Sequence, residues 1–225
     1  MDTSKVVIAI DGPAGAGKST VSKLLSKSLG IRYLDTGAMY RALAWKALGQ
    51  GLTTDQGEEA AVLLESTDIG FGIGEPQPVF VDGAEVTAEI RTPQIGEAAS
   101  ALSQHTPVRQ RMVERQKELV AGGGVILEGR DVTTVVAPNA TLKVYLTASL
   151  EERAKRRTSE FVEKGVASSF QEVRSQIQNR DHRDINRDDS PLKVADDAEV
   201  VESAGHTPEE VAAAITKLLE AKLHG

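Results

Sequence analysis

Val6, Val7, Ile8, Ala9 and Ile10 form an unbroken apolar run that stops at Asp11 and a glycine-rich turn, the pattern of a strand buried on both faces. After the turn, apolar residues recur at Val21, Leu24, Leu25 and Leu29, a helical spacing that ends at Gly30. Ile31-Arg32-Tyr33-Leu34 predicts a short strand running into Asp35-Thr36-Gly37, and residues 39–48 and 58–65 predict helices. From residue 68 the texture changes to alternation, with Val79-Phe80-Val81 and Ala84-Glu85-Val86 placed either side of Asp82-Gly83 as in a β-hairpin. Because this piece interrupts a strand–helix series, residues of about 67–91 are expected to stand off the main sheet as an insertion. Thr92-Pro93 and Thr106-Pro107 look like N-cap and N1 proline pairs opening two helices. Val125-Ile126-Leu127 and Leu142-Lys143-Val144-Tyr145-Leu146 are compact strands, and a last one falls at Glu199-Val200-Val201. Ser149 with Glu152, Ser169 with Glu172 and Thr207 with Glu210 have capping-box spacing and start three more helices. The expected fold class is α/β, a mostly parallel central sheet wrapped by helices, with a small β-rich insertion. Such sheets bind ligands at the carboxyl ends of their strands, where residues 12–19, Asp35-Thr36 and Glu128-Gly129-Arg130-Asp131 all fall.

The chain has 225 residues, 40% of them hydrophobic, enough for one domain or one domain carrying an inserted piece. A net charge of −7 argues against a nucleic-acid surface but leaves small anions open, since these need only a local basic cluster. With no cysteine there is neither disulfide nor thiolate chemistry, and four scattered histidines make a zinc site improbable. The polar start without a leader-like segment, and the lack of any run of about 18 apolar residues, lead us to expect a soluble protein without membrane contact; the composition without cysteine fits the cytoplasm, and a monomer is expected.

The turn after the first strand reads Gly12-Pro13-Ala14-Gly15-Ala16-Gly17-Lys18-Ser19-Thr20 and fits the phosphate-loop pattern at every fixed position. Small residues let the backbone curl its N–H groups around phosphates, Lys18 reaches the β and γ phosphates, and the Ser19 hydroxyl is the candidate Mg²⁺ ligand. Asp11 either orients Mg²⁺ waters or caps the loop. Seven of the fourteen arginines (Arg153, Arg156, Arg157, Arg174, Arg180, Arg183 and Arg187) fall between residues 153 and 187 of a protein that is acidic as a whole. Arg153 and Arg157, one helical turn apart, favour a phosphate ligand; for Arg156 a solvated face paired with glutamates is an equal reading. Arg41 and Arg130 are candidates for a second anion. Two phosphates suggest transfer between phosphorylated molecules, an acceptor already ionised, and catalysis by positioning and charge neutralisation without a strong base.

Taken together, Ile10-Asp11-Gly12-Pro13 with Gly15-Ala16-Gly17-Lys18, Leu34-Asp35-Thr36-Gly37-Ala38-Met39-Tyr40-Arg41, Ile90-Arg91-Thr92, Glu128-Gly129-Arg130-Asp131 and Arg180-Asp181-x-Arg183-Asp184 resemble the bacterial cytidylate kinases. These belong to the nucleoside monophosphate kinase group of P-loop proteins. The resemblance implies a P-loop kinase fold and Mg²⁺-dependent transfer of the γ-phosphoryl group of ATP to CMP or dCMP. It places acceptor-phosphate contacts on Thr36, Arg41, Arg130 and Arg180, a ribose contact on Asp184, and cytosine-reading groups on Ser100, Arg109, Asp131 and Arg187. It also implies a short lid at about residues 156–168, and makes the hairpin region a packing cover for the acceptor site. Asp131 either accepts from the cytosine amino group or merely orients Arg109 or Arg130 through an ion pair. Two rival readings are another small-molecule P-loop kinase, acting for example on shikimate or dephospho-coenzyme A, and a regulatory switch that senses or hydrolyses ATP.

Overall fold

The apolar run at the start of the chain becomes β1 (Val7–Asp11), in which Ile8, Ala9 and Ile10 are fully buried. The computed structural model describes residues 3–163 and 165–224. After β1 come α1 (Lys18–Leu29), β2 (Arg32–Asp35), α2 (Thr36–Gly49) and α3 (Gly57–Glu65). Three short strands follow, β3 (Ile69–Phe71), β4 (Val79–Val81) and β5 (Ala84–Glu85), then a 3₁₀ turn at Glu89–Arg91, α4 (Pro93–Leu102) and α5 (Thr106–Val120). The remainder is β6 (Val125–Gly129), a π-type turn at Val132–Val136, β7 (Leu142–Thr147), α6 (Leu150–Glu163), α7 (Phe170–Asn186), β8 (Glu199–Glu202) and α8 (Pro208–His224).

The chain divides into two compact units, Met1–Leu34 with Val120–Gly225, and Asp35–Leu119. In the first, the described strands form a sheet in the order β2-β6-β1-β7-β8. β1 runs parallel to β6, with Asp11 opposite Gly129, and parallel to β7, with Asp11 opposite Tyr145; β8 is parallel to β7. The three central strands therefore release their loops at one end. Val21 and Leu25 of α1 and Val211, Ile215 and Leu219 of α8 pack with Ile8, Ile10, Ile126, Val144 and Leu146 into one core. A smaller cluster joins Ala14 to Ala154 and Phe161 of α6 and Val173 and Ile177 of α7.

In the second unit, β3, β4 and β5 make a small antiparallel sheet. Asp82 (φ 50°) and Gly83 (φ 83°) provide the two left-handed residues of its tight turn. Lys46 of α2 ties the hairpin down, bonding Asp82 at 2.6 Å and the Thr67 hydroxyl at 3.0 Å. Val79 and Val81 point into the unit and are 1% and 2% exposed.

Element ends differ from the sequence reading where caps decide them. The helix expected from residue 39 starts at Thr36, because the Asp35 carboxylate accepts the Ala38 N–H and serves as N-cap. Thr92 caps α4 as expected, whereas Thr106 already lies inside α5, so Pro107 stands one place deeper than N1. Of the proposed lid span 156–168, residues 156–163 are helical and Lys164 lies outside the described residues.

Candidate functional site

Gly12 (φ 150°) is where the chain leaves β1, and a Cβ there would stand 2.0 Å from the Leu146 carbonyl oxygen of β7. Only glycine allows that approach. Gly17 (φ 91°) is the left-handed residue that turns the loop into α1. Lys18 is buried beneath the loop and its Nζ donates to the Gly12 and Pro13 carbonyl oxygens at 2.7 and 2.8 Å. Burial first, then Arg130 and after it Arg180, push the Lys18 ammonium down to about 7 against the pull of Glu128 and Asp11. Ser19 and Thr20 are exposed on the first turn of α1.

Asp11 is fully buried. Its carboxylate accepts from the Val132 N–H at 3.0 Å and from the Thr133 N–H and hydroxyl at 2.8 and 2.6 Å, so it secures the turn after β6. Burial raises it to about 6 although those bonds oppose the rise.

Arg130, at the end of β6, donates from Nε to Asp184 of α7 at 2.8 Å. Arg180 and Arg187 approach the same carboxylate at 4.0 and 3.9 Å. Burial works to raise the Asp184 carboxyl; Arg130, Arg180 and Arg187 outweigh it and hold the group below the ordinary carboxylate range. Asp131 pairs with Arg187 at 3.6 Å, a partner other than the Arg109 or Arg130 considered from sequence.

The arginines of α6 are engaged within the protein. Arg153 donates to the Ala148 and Ala14 carbonyl oxygens, both at 2.9 Å, and pairs with Asp181. Arg156 bonds Ser203 through Oγ at 2.9 Å and the carbonyl at 2.7 Å. Arg157 pairs with Glu160 at 2.8 Å and lies 4.6 Å from the Phe161 ring centre.

In the second unit, Thr36 is buried at the start of α2. Arg41, one turn on, donates to the Ile90 carbonyl oxygen at 3.2 Å and lies against Gly96, where a Cβ would come within 2.9 Å of its guanidinium. Arg109 is 1% exposed, donates to the Ser103 carbonyl oxygen at 3.2 Å and sits 5.8 Å from the Tyr40 ring centre. The Ser100 hydroxyl is buried without a hydrogen-bond partner, a state that invites a ligand.

Sequence reasoning missed Asp181, Thr133 and Ser203, all of which grip other residues of the site. Asp181 was within reach, since it sits inside the charge-dense stretch beside Arg180. Nothing local marks the other two.

A family model described as cytidylate kinase matches residues 8–221. A cytidylate kinase of Listeria monocytogenes serotype 4a is 45% identical over 222 residues, 99% of each chain, and one of Enterococcus faecalis is 45% identical over 219 residues, 97% of each. One of Caldicellulosiruptor bescii is 46% identical over 217 residues, covering 96% of this chain and 95% of the relative. An uncharacterized protein from Eubacterium ventriosum, whose crystal structure superposes with a TM-score of 0.54 over 96% of this chain and 99% of its own at 11% identity, shares the fold. With the matched residues running from the first strand into the last helix, the chain belongs to the cytidylate kinase family.

Proposed function

We propose that this protein transfers the γ-phosphoryl group of ATP to CMP or dCMP, giving ADP and CDP or dCDP. The observation that carries the reading is the gathering of Arg130, Arg180 and Arg187 on Asp184, close enough for Arg130 and Arg180 to lower the proton affinity of Lys18 in the phosphate loop. So many cations around one buried lysine are costly without anions, and two phosphorylated substrates supply them. Lys18 then exchanges its loop carbonyls for the β and γ phosphates, while Arg130 and Arg180 take the acceptor phosphate with Thr36 and Arg41. The acceptor oxygen is ionised at neutral pH, so these residues hold it in line and stabilise the charge of the transition state.

Mg²⁺ is the expected companion of ATP. Among the described residues no group of three or more acidic or histidine side chains could cage a metal, and both Asp11 oxygens are already engaged. The exposed Ser19 hydroxyl on the first turn of α1 fits an ion held by one protein oxygen, substrate phosphates and water. Bound there, the ion would neutralise phosphate charge.

For the base, Asp131 accepts from the cytosine amino group, with Ser100, Arg109 and Arg187 serving the rest of the ring edge; the unpartnered Ser100 hydroxyl supports this. Residues of about 156–168 serve as the lid. A coupled assay with ATP and a panel of monophosphates tests the reading. CMP and dCMP turn over fastest if it holds, and activity confined to AMP, GMP or a non-nucleotide acceptor refutes it.

A further inference from the structure

Two helices close on a single residue of the phosphate loop. The Ala14 N–H donates to Asp181 Oδ1 at 3.0 Å, and Arg153 donates to the Ala14 carbonyl oxygen at 2.9 Å. Asp181 Oδ2 and Arg153 pair with each other. The Ala14 methyl is buried against Ala154, Phe161, Val173 and Ile177, which come from the same two helices, α6 and α7. Both backbone polar groups of Ala14 and its side chain are therefore fixed from outside the loop.

Stability alone explains this arrangement poorly. Asp181 and Arg153 are 8% and 7% exposed, and apolar residues of similar volume often replace buried ion pairs at no loss of stability. Geometry explains it better. Ala14 lies four residues before Lys18, so the setting of its peptides determines where the following loop N–H groups and the lysine stand. The loop is also tight against the clamp, since a Cβ at Gly15 would come within 3.2 Å of the Arg153 Cβ.

We infer that Asp181 and Arg153 are positioning residues for the phosphate loop, acting on ATP through Ala14 and not by touching a phosphate. Arg153 thus leaves the set of candidate phosphate ligands, and Asp181 enters the machinery. The inference rests on the kinase reading for its kinetic arm only. Its binding arm needs only ATP.

The test combines equilibrium titration with ATP, steady-state kinetics with CMP varied at saturating ATP, and thermal unfolding, on wild type, Asp181→Ala, Arg153→Ala, the Asp181→Ala/Arg153→Ala pair, Asp181→Asn and Arg153→Lys. Asp181→Ala should weaken ATP about 10- to 100-fold, the loss expected for a charge-assisted hydrogen bond that preorganises a site. The KM for CMP should stay within about threefold, because the acceptor contacts are separate. Asp181→Asn keeps an oxygen for the Ala14 N–H and should recover part of the affinity, as should Arg153→Lys. The double variant should be no weaker than the worse single one, since both act on one residue. Should Asp181→Ala fail to fold, Asp181→Asn and Arg153→Lys carry the test. Unchanged ATP affinity with only a lower Tm, equal loss of ATP and CMP, or additive single effects would overturn the clamp. If wild type binds ATP but phosphorylates no nucleotide, the kinase reading fails while the titration still reports on the clamp.

Discussion

Lys18 carries a charge that the folded chain disfavours until an anion arrives. Its value is lowered from 10.5 to about 7, so phosphates that replace the loop carbonyls favour its protonated form. Calorimetry of ATP binding at pH 8 in buffers of different ionisation enthalpy should therefore show proton uptake in wild type that disappears in Lys18→Met. Uptake of equal size in the variant would place the titrating group elsewhere. Lys18→Ala should remain folded and lose turnover by roughly a thousandfold or more, as removal of a charge aimed at the transition state does. Asp131 is a second single-residue test. A site that hydrogen-bonds an amino group rejects a base lacking it by up to ~10⁴-fold, so CMP should clearly exceed UMP, and Asp131→Asn should narrow their kcat/KM ratio. Its pairing with Arg187 supplies the competing outcome: if that ion pair is its whole role, both activities fall in parallel.

At the level of elements, α7 presents Asp184 to three arginines while Asp181, almost one turn earlier, reaches the phosphate loop. Arg180→Ala and Asp184→Ala should therefore damage CMP use far more than ATP binding, by separate titrations of the two nucleotides. Equal weakening would remove them from the acceptor set. The hairpin makes a different demand. Gly83 has φ 83° with open space where a Cβ would go, so Gly83→Ala should cost on the order of 1 kcal/mol through backbone strain alone, measurable by urea unfolding. Excising the hairpin is another matter: Val79, Val81 and Val86 are 1–2% exposed and form part of the second unit's interior. The alternation around Asp82-Gly83 announces the turn because its chemistry is local. The burial of those valines is not announced, because it depends on α2 and on Lys46, which is more than thirty residues away in sequence.

Across the whole molecule, opposing carboxylates shape the response to acid. Asp184, held below its ordinary 3.8, contributes stability that is present above that pH and is lost as pH falls through its own lower value. Asp11, raised to about 6, acts in the opposite sense, its contribution being full below 3.8 and lost as pH rises through 6. Asp184→Asn should accordingly be less stable than wild type at pH 7, with a flatter loss of urea midpoint below pH 4; an unchanged acid limb would contradict the three-arginine account. The order of strands and helices, the phosphate loop and the arginine-rich stretch were legible because apolar period, caps and glycine spacing are written within a few residues. The partners of Asp11, the contact of Arg153 with Ala14 and that of Arg156 with Ser203 were not, because the first two span over a hundred residues and Ser203 stands in a short loop with no marked composition. That separation has a consequence for the order in which the protein is made. The nucleotide loop is synthesised well over a hundred residues before its partners, since Ala14 is gripped by Arg153 and Asp181, and the Ala16 carbonyl oxygen accepts from the Ser203 hydroxyl at 3.1 Å. A nascent chain has its most recognisable motif long before it has the means to hold it in shape.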